Sequence, residues 1–285
     1  NLSLIRELKK MGLGADVVSA GELLKATKAG ISPKKIVFSG VGKSLDELKF
    51  AIDKNILLIN SESESEISQI EKISKKKKKI IDIGIRLNPN INPNTLKKIT
   101  TGRNEDKFGL TDINFLKTIK KIKNSKNLNL RCLSVHIGSQ ITDHNPYAKM
   151  LKVVSSIIKK SKHNFDFVDL GGGMGIKYTK DTKTLNYKKY NQILRNFLKK
   201  NKTKIIFEPG RFIVGNTAML LTRILYIKKT KKINFVILDA AMNDFIRPAL
   251  YNAKHEIISA KKNKKNIIKK HEFVGPICET TDKFL

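Results

Sequence analysis

No apolar run in this 285-residue sequence approaches the roughly 20 residues that a membrane-spanning helix needs. No secretory leader pattern is visible either. The first residue is Asn1 rather than Met, so the expectation is that the N-terminus is cut. Cysteine is scarce. Cys132 and Cys278 stand far apart, which excludes a disulfide framework and a zinc pattern. A reducing, cytoplasmic setting without a bound metal is the default expectation. Acidic residues are few: 25 Asp and Glu face 57 Lys and Arg, for a formal net charge of +32. Arginine is rare among those bases, with eight at positions 6, 86, 103, 131, 195, 211, 223 and 247. Nucleic-acid readers rely on arginine for bidentate contacts to bases and phosphates. The lysines instead fall on polar helix faces and in loops, as in SKKKKK (74–79) and SAKKNKKNIIKK (259–270). They read as a tolerant solvated surface, not a nucleic-acid footprint. The field they create draws in small anions.

What is present is a rhythm. Strand-like stretches recur at GADVVSA (14–20), KIVFSG (35–40), ILLINS (56–61), IIDIGIRLN (80–88), LRCLSVHIGS (130–139), FDFVDLGGG (165–173) and KIIFEPGR (204–211). Amphipathic helical stretches separate nearly all of them, among them SLDELKFAIDKN (44–55) and YKKYNQILRNFLKKN (187–201). The strands are apolar along their length, as strands covered on both faces must be. Such alternation predicts a parallel sheet of the α/β class. Seven strands are one short of a (β/α)8 barrel of the TIM type. With a cut N-terminus, the missing first strand precedes Asn1. After Arg211 the rhythm changes. Residues 218–241 read as two strands joined by a lysine-rich turn, and HEFVGPICE (271–279) as another strand and loop. The expected division is a barrel over 1–216 and a partial, β-rich domain over 217–285 that stops in mid-pattern.

A barrel keeps its chemistry at the C-terminal ends of its strands. The polar residues there are Asp16, Ser19, Lys43, Arg86, Asn88, His136, Ser139, Gly171 to Gly173, Glu208 and Arg211. In VDLGGGMGI (168–176) a strand ends in glycines whose N–H groups can close around a phosphate, or simply make a tight turn. His136 can stack on a flat heteroaromatic ring, and is as readily a satisfied core residue. Glu208 in FEPGR needs a partner at a barrel mouth, and a protonated pyridine nitrogen is one. Such a pairing makes the ring an electron sink, the core of pyridoxal phosphate chemistry. Pro209 and Gly210 make the corner and turn a backbone N–H toward a phosphate. Arg211 offers its fork to a phosphate or a carboxylate. Cys278 sits beside Glu279 in a loop, a poor place for a core residue, whereas Cys132 lies inside a strand and reads as core.

Eight stretches in order now carry a resemblance: GADVVSAGEL (14–23), RLNP (86–89), KFGL (107–110), VHIGSQ (135–140), DLGGGMGI (169–176), EPGR (208–211), DAAMNDFIRPALY (239–251) and GPICETTD (275–282). Together they resemble the diaminopimelate decarboxylases, pyridoxal phosphate enzymes of lysine biosynthesis with an alanine-racemase-like barrel. Each stretch is weak alone; eight in order are specific. The resemblance implies that His136 stacks on the cofactor ring and that Asp16 supports the site near the Schiff base. It implies that Ser139, Gly172, Gly173 and Gly210 hold the phosphate, and that Glu208 pairs with the ring nitrogen. Arg211, Arg247 and Tyr251 are implied to bind substrate carboxylate. Cys278 is implied to return a proton after carbon dioxide leaves, and Glu279 to hold the distal ammonium. The Cys278–Glu279 loop is implied to reach into a partner subunit's site, so the active form is a homodimer acting on a small amino acid.

Departures from the family pattern are small. Ala241 stands where Gly is usual, and Asp106 and Thr281 are unusual beside their motifs. The family's Schiff-base lysine falls upstream of Asn1, and a phosphate-contacting tyrosine falls beyond Leu285; neither Lys43 nor Lys107 replaces that lysine. The expectation is that the fragment alone binds cofactor weakly and turns over poorly. The rival readings are a sister decarboxylase of ornithine, arginine or carboxynorspermidine, and a non-catalytic homologue. Arg247 and the Cys278–Glu279 pair argue against ornithine, whose single carboxylate is the one removed.

Overall fold

The computed structural model describes residues 1–179, 181–261 and 271–284; most of the lysine run at 259–270, Lys180 and Leu285 lie outside the described residues. Two compact units form, one from residues 1–175 and 185–212, the other from 176–184 and 213–285. The segment 176–184, which the sequence leaves as a loop after the glycines, groups with the second unit. Tyr178 explains this: its hydroxyl accepts a hydrogen bond from Arg247 Nη2 at 3.2 Å.

The first unit alternates helices α1 (Leu2–Lys10), α2 (Ala20–Lys28), α3 (Leu45–Asp53), α4 (Glu64–Lys77), α5 (Asp112–Lys123), α6 (Asn145–Ser161) and α7 (Tyr187–Lys200) with strands. The strands are β1 (Ala15–Val17), β2 (Ile36–Phe38), β3 (Leu58–Ser61), β4 (Ile81–Arg86), β5 (Leu128–Ser134), β6 (Phe167–Asp169) and β7 (Lys204–Ile206). A short helix α8 (Gly210–Val214) follows the last of them. The seven strands form one sheet in sequence order, and every pairing is parallel. Local signals start the helices. Ser44 and Glu47 make a reciprocal capping box at α3, and Ser19 and Ser63 cap α2 and α4.

The sheet is curled. Asn60 Nδ2 on β3 donates to Asp169 Oδ2 on β6 at 2.9 Å, across two intervening strands. In a flat sheet those strands lie about 14 Å apart, given the spacing near 4.8 Å between neighbours. The outer face packs on the helices through Phe38, Ile59, Ile83, Leu133 and Val168. The inner face carries a separate apolar plug of Val37, Leu58 and Cys132, with Phe167 and Ile206 against it. Two residues further along each strand, on the same face, come Ser39, Asn60, Ser134, Asp169 and Glu208. The barrel is thus apolar at its floor and polar at its C-terminal mouth, the layered arrangement of the TIM class.

One irregularity decides which residues of β5 face inward. Ile83 pairs with Leu130 and Gly84 with Cys132, so Arg131 is an extra residue, a bulge. Before it Leu130 faces the helices; after it Cys132 faces the barrel interior. Arg131 itself is tied outside to Asp82 at 2.8 Å and Asp166 at 2.6 Å.

The second unit holds a three-stranded sheet in the order β10 (His271–Val274), β9 (Asn234–Leu238), β8 (Ile224–Lys229). β9 runs antiparallel to β8 and parallel to β10. Thr230 closes the turn between β8 and β9, its hydroxyl donating to Ile233 O at 2.6 Å. Val236, Leu238, Ala240 and Phe284 form its small core. Helix α9 (Arg247–Tyr251) begins with Pro248 in its first turn, as the IRPALY stretch suggests.

Candidate active site

The strands end earlier than their sequence patterns suggest, and the chemical residues lie just past them. β7 stops at Ile206, yet hydrogen bonds continue along it: Leu170 N donates to Ile206 O at 3.0 Å and Glu208 N to Gly171 O at 2.9 Å. This extension sets Glu208 beside the glycine loop. At Gly172 an added Cβ would overlap the Glu208 carbonyl, and at Gly173, with φ +92°, it would overlap the Gly138 carbonyl. The loop's glycines are therefore required by close backbone packing. Gly210 is different. A Cβ there would meet nothing within 4 Å, so the space beside it is open.

His136 follows β5 by two residues. Its Nδ1 accepts the Gly172 N–H at 3.2 Å, which leaves Nε2 to carry the proton of a neutral ring. Burial, with Arg86 nearby, lowers its pKa to about 4. A neutral, fixed imidazole over the glycine loop is suited to lie against an aromatic ring. Arg86 is held by Glu62 at 2.8 Å and by the face of Phe108, 4.6 Å from the ring centroid. Ser139 follows Gly138 on the same loop, with its N–H on Ile99 O at 3.2 Å. Arg211 Nη1 donates to Gln140 Oε1 at 3.3 Å.

Two carboxyls, Asp169 and Glu208, lie inside the barrel, and a third, the exposed Asp16, stands at its edge. Asp16 on β1 is raised to about 7, mainly by burial among protein atoms, against the pull of a Ser39 hydrogen bond. Its side chain still reaches solvent, since β1 is an edge of the sheet. Asp169 is fully buried, and burial raises its carboxyl as well. Burial, followed by Asp169 and Asp16, pushes Glu208 well up. The Glu208 Oε1 atom is buried and has no hydrogen-bond partner among the described residues. A buried orphan acceptor costs about 1–3 kcal/mol, and a ligand N–H would relieve it. Asp169 and Asn60, which complete this cluster, carry no role in the sequence reading. Asp169 sits in the quoted glycine stretch as an ordinary strand residue, and only the curl of the sheet brings Asn60 to it.

Lys43 is unsuited to amine chemistry. Its Nζ is wholly buried and donates to Gly40 O, Asn60 O and Glu66 at 2.6, 2.7 and 2.8 Å. Those bonds use its three protons. Lys107 lies over the Phe108 ring, 5.6 Å from its centroid.

The second unit carries the remaining candidates. Arg247 is clamped by the rings of Tyr178 and Tyr251, at 5.4 and 5.6 Å from its guanidinium carbon. Its Nε reaches His255 Nε2 at 3.4 Å. Tyr251 closes α9. Cys278 and Glu279 are both exposed on the loop after β10. The sequence reading passed over the residue that shapes this loop. Asp282 is buried, and its carboxylate accepts the Met242 N–H at 2.7 Å and the Ile277 N–H at 2.9 Å. The signal was the acid closing GPICETTD, directly after four loop residues with few partners of their own. Cys132 is fully buried, with its thiol pushed up by burial, and belongs to the barrel floor.

The unusual residues are accommodated locally. Ala241 has no positive φ and donates its N–H to Asp244 at 2.9 Å. Asp106 pairs with Arg103 at 2.9 Å, and Thr281 contacts Met242 Sδ. Among the described residues no cluster of His, Cys, Asp and Glu is arranged to hold a metal, and no helix is long and apolar enough to cross a membrane.

Comparison with known proteins agrees with this chemistry. Residues 1–215 match the family described as pyridoxal-dependent decarboxylase, pyridoxal binding domain. The diaminopimelate decarboxylase of Aquifex aeolicus (strain VF5) is 42% identical over 286 residues, spanning 99% of this chain and 68% of that protein. The crystal structure of diaminopimelate decarboxylase from Helicobacter pylori complexed with L-lysine superposes with a TM-score of 0.94 at 41% identity, covering 100% of this chain and 72% of that one. The enzyme from M. jannaschii in co-complex with L-lysine gives a TM-score of 0.90 at 37% identity, covering 100% and 67%. The chain belongs to the pyridoxal-dependent decarboxylases, and within them to the diaminopimelate decarboxylase family.

Proposed function

We propose that the protein removes one carboxylate of meso-2,6-diaminopimelate as carbon dioxide and releases L-lysine. The observation that carries this reading is the buried Glu208 oxygen without a partner, on a segment bonded to the glycine loop that a neutral His136 also holds. These residues fit pyridoxal phosphate. Glu208 offers an acceptor to a ring N–H, His136 a flat neutral face, and the open space at Gly210 room for a phosphate. When bound, the cofactor supplies an electron sink for the charge left by the departing carbon dioxide.

The chain's own residues do the rest. Glu208 keeps a proton at the ring nitrogen. Ser139, Gly172, Gly173, Pro209 and Gly210 shape the phosphate pocket, and Asp16 supports the cofactor site away from the phosphate. Arg211, Arg247 and Tyr251 take substrate carboxylate, with Arg247 pre-set by its two aromatic neighbours. Glu279 holds the distal ammonium, and Cys278 Sγ returns a proton to the carbon that has lost its carboxylate. A substrate with two carboxylates and two ammoniums needs both signs of charge, and this set supplies both. We assign the cofactor-binding part to residues 1–216 and the β-rich part to 217–285. We further assign the active form to a cytoplasmic homodimer in which each Cys278–Glu279 loop serves the partner's site.

The test is turnover of the full-length protein on meso-diaminopimelate, ornithine and arginine, with Glu208→Ala alongside. Release of L-lysine from diaminopimelate alone, abolished by the substitution, supports the reading. Undiminished turnover in Glu208→Ala refutes the role of Glu208, and faster turnover of ornithine refutes the substrate.

A further inference from the structure

Arg86, Arg103 and Arg131 are each tied to carboxylates. Arg247 is held differently. Its Nε donates to His255 Nε2 at 3.4 Å, and its Nη2 donates to the Tyr178 hydroxyl at 3.2 Å. A guanidinium only donates, so Nε2 must offer its lone pair, and the proton of a neutral His255 ring sits on Nδ1. Both hydrogen bonds of Arg247 among the described residues therefore end on neutral atoms. The rings of Tyr178 and Tyr251 flank the same group. A guanidinium fixed by neutral partners keeps its charge for an anion.

Local structure brings His255 back to Arg247. Helix α9 ends at Tyr251, and Asn252 takes the left-handed conformation, with φ 51° and ψ 35°. Had the helix continued, His255 would stand about 12 Å along the axis from Arg247. Instead the chain reverses, and the imidazole packs edge-on with Tyr178 and Phe245, with ring centroids 5.1 and 4.6 Å away. The acceptor is thus fixed by two rings. Nε and Nη2 lie along one edge of the planar guanidinium, and His255 and Tyr178 occupy that edge. Both Nη1 protons and one Nη2 proton have no acceptor among the described residues. They suffice to receive a carboxylate end-on through two parallel bonds.

We propose that His255 and Tyr178 are positioning residues that close the side edge of Arg247, so that its two Nη atoms grip, end-on, the substrate carboxylate that is retained in the product. A cation on the departing carboxylate would hold the very charge that must leave it, and would oppose loss of carbon dioxide. On the retained carboxylate the same cation binds substrate and product alike. The pair therefore acts on affinity and on selection against diamines that lack this group, more than on the chemical step. This inference rests on the role proposed for Arg247.

The test is titration calorimetry on the full-length protein loaded with pyridoxal phosphate. The probes are L-lysine, which keeps that carboxylate, and 1,5-diaminopentane, which lacks it. His255→Leu weakens L-lysine about ten-fold, the effect of a lost bond to a charged group, and leaves the diamine within about two-fold. It raises KM more than it lowers kcat. His255→Gln, whose amide oxygen can accept the same N–H, restores most of the affinity. Tyr178→Phe keeps the ring, removes only the Nη2 acceptor and gives the same selective loss, so it decides where His255→Leu does not fold. In an Arg247→Met background neither substitution costs further affinity. Equal losses for the two probes, or losses that persist without Arg247, mean that the residues act only on structure, which overturns the proposal. A glutamine no better than leucine overturns the role of Nε2. If Arg247→Met weakens L-lysine and neither His255→Leu nor Tyr178→Phe does, this inference alone falls. If Arg247→Met itself changes nothing, the role proposed for Arg247 falls with it.

Discussion

Individual side chains in this barrel are set against their ordinary protonation by burial. His136 is the clearest. Its pKa falls from 6.5 to about 4, so the folded protein binds fewer protons there than the unfolded chain. The stability it contributes is complete above 6.5 and is lost as pH drops toward 4. Asp16 has the opposite sign. Raised from 3.8 to about 7, it keeps its proton in the folded state and loses it when unfolded. It therefore costs stability as pH climbs from 4 through 7. We expect Asp16→Asn to raise the melting temperature of the cofactor-free protein at pH 8 and to leave it unchanged at pH 4. Melts at the two pH values check this, and equal shifts at both would refute the assignment. Cys278 belongs to the same scale. Removing its thiol in Cys278→Ala should lower kcat by roughly 100-fold or more, the usual share of a proton-transfer group. KM should change little, because in the proposed role the thiol acts after substrate is bound; steady-state kinetics separates the two.

Elements place these groups, and two loops do most of the placing. The glycine loop after β6 is packed against backbone, so its glycines and Gly210 answer different demands. Gly172→Ala should lower stability by about 1–3 kcal/mol, through overpacking against the Glu208 carbonyl. Gly210→Ala should melt within a degree or two of wild type and yet bind pyridoxal phosphate more weakly, because its Cβ enters the open space where the phosphate is proposed to sit. Equilibrium dialysis beside a thermal melt tells the two apart. The loop after β10 hangs on Asp282. Asp282→Ala strands the Met242 and Ile277 N–H groups, at about 1–3 kcal/mol for an unsatisfied buried donor. The Cys278 loop then loses its fixed form, and kcat should fall although Cys278 is intact. Helix starts, by contrast, are plain in the sequence: Ser19, Ser44 and Ser63 each precede an acidic first turn, and each caps its helix. Strand ends are less plain. β6 and β7 stop at Asp169 and Ile206. The apolar run continues past them, and so do the hydrogen bonds, from Leu170 N to Ile206 O and from Glu208 N to Gly171 O.

At the scale of the whole molecule, the charge of +32 is a lysine surface. Like charges repel in the compact state, so added salt should raise the melting temperature by screening them. The proposed homodimer makes a sharper prediction. Mixed Glu208→Ala and Cys278→Ala subunits, each inactive alone, should recover about a quarter of wild-type activity after reassortment, since half the dimers are hybrids with one intact site each. No recovery would mean that each chain completes its own site.

The order of elements, the α/β class, the polar residues at strand ends and the family were all determined by the sequence itself. Those features are local or periodic: a cap and its acid lie three residues apart, a strand alternates every two, and eight motifs keep their order. What the tertiary structure alone decided is contact between distant segments. The Arg131 bulge turns Cys132, and with it the approach to His136, inward, though alternation counted from Leu130 would face them outward. The curl of the sheet carries Asn60 to Asp169 across two intervening strands. No spacing in the chain encodes that meeting, because it depends on how seven strands curl past one another.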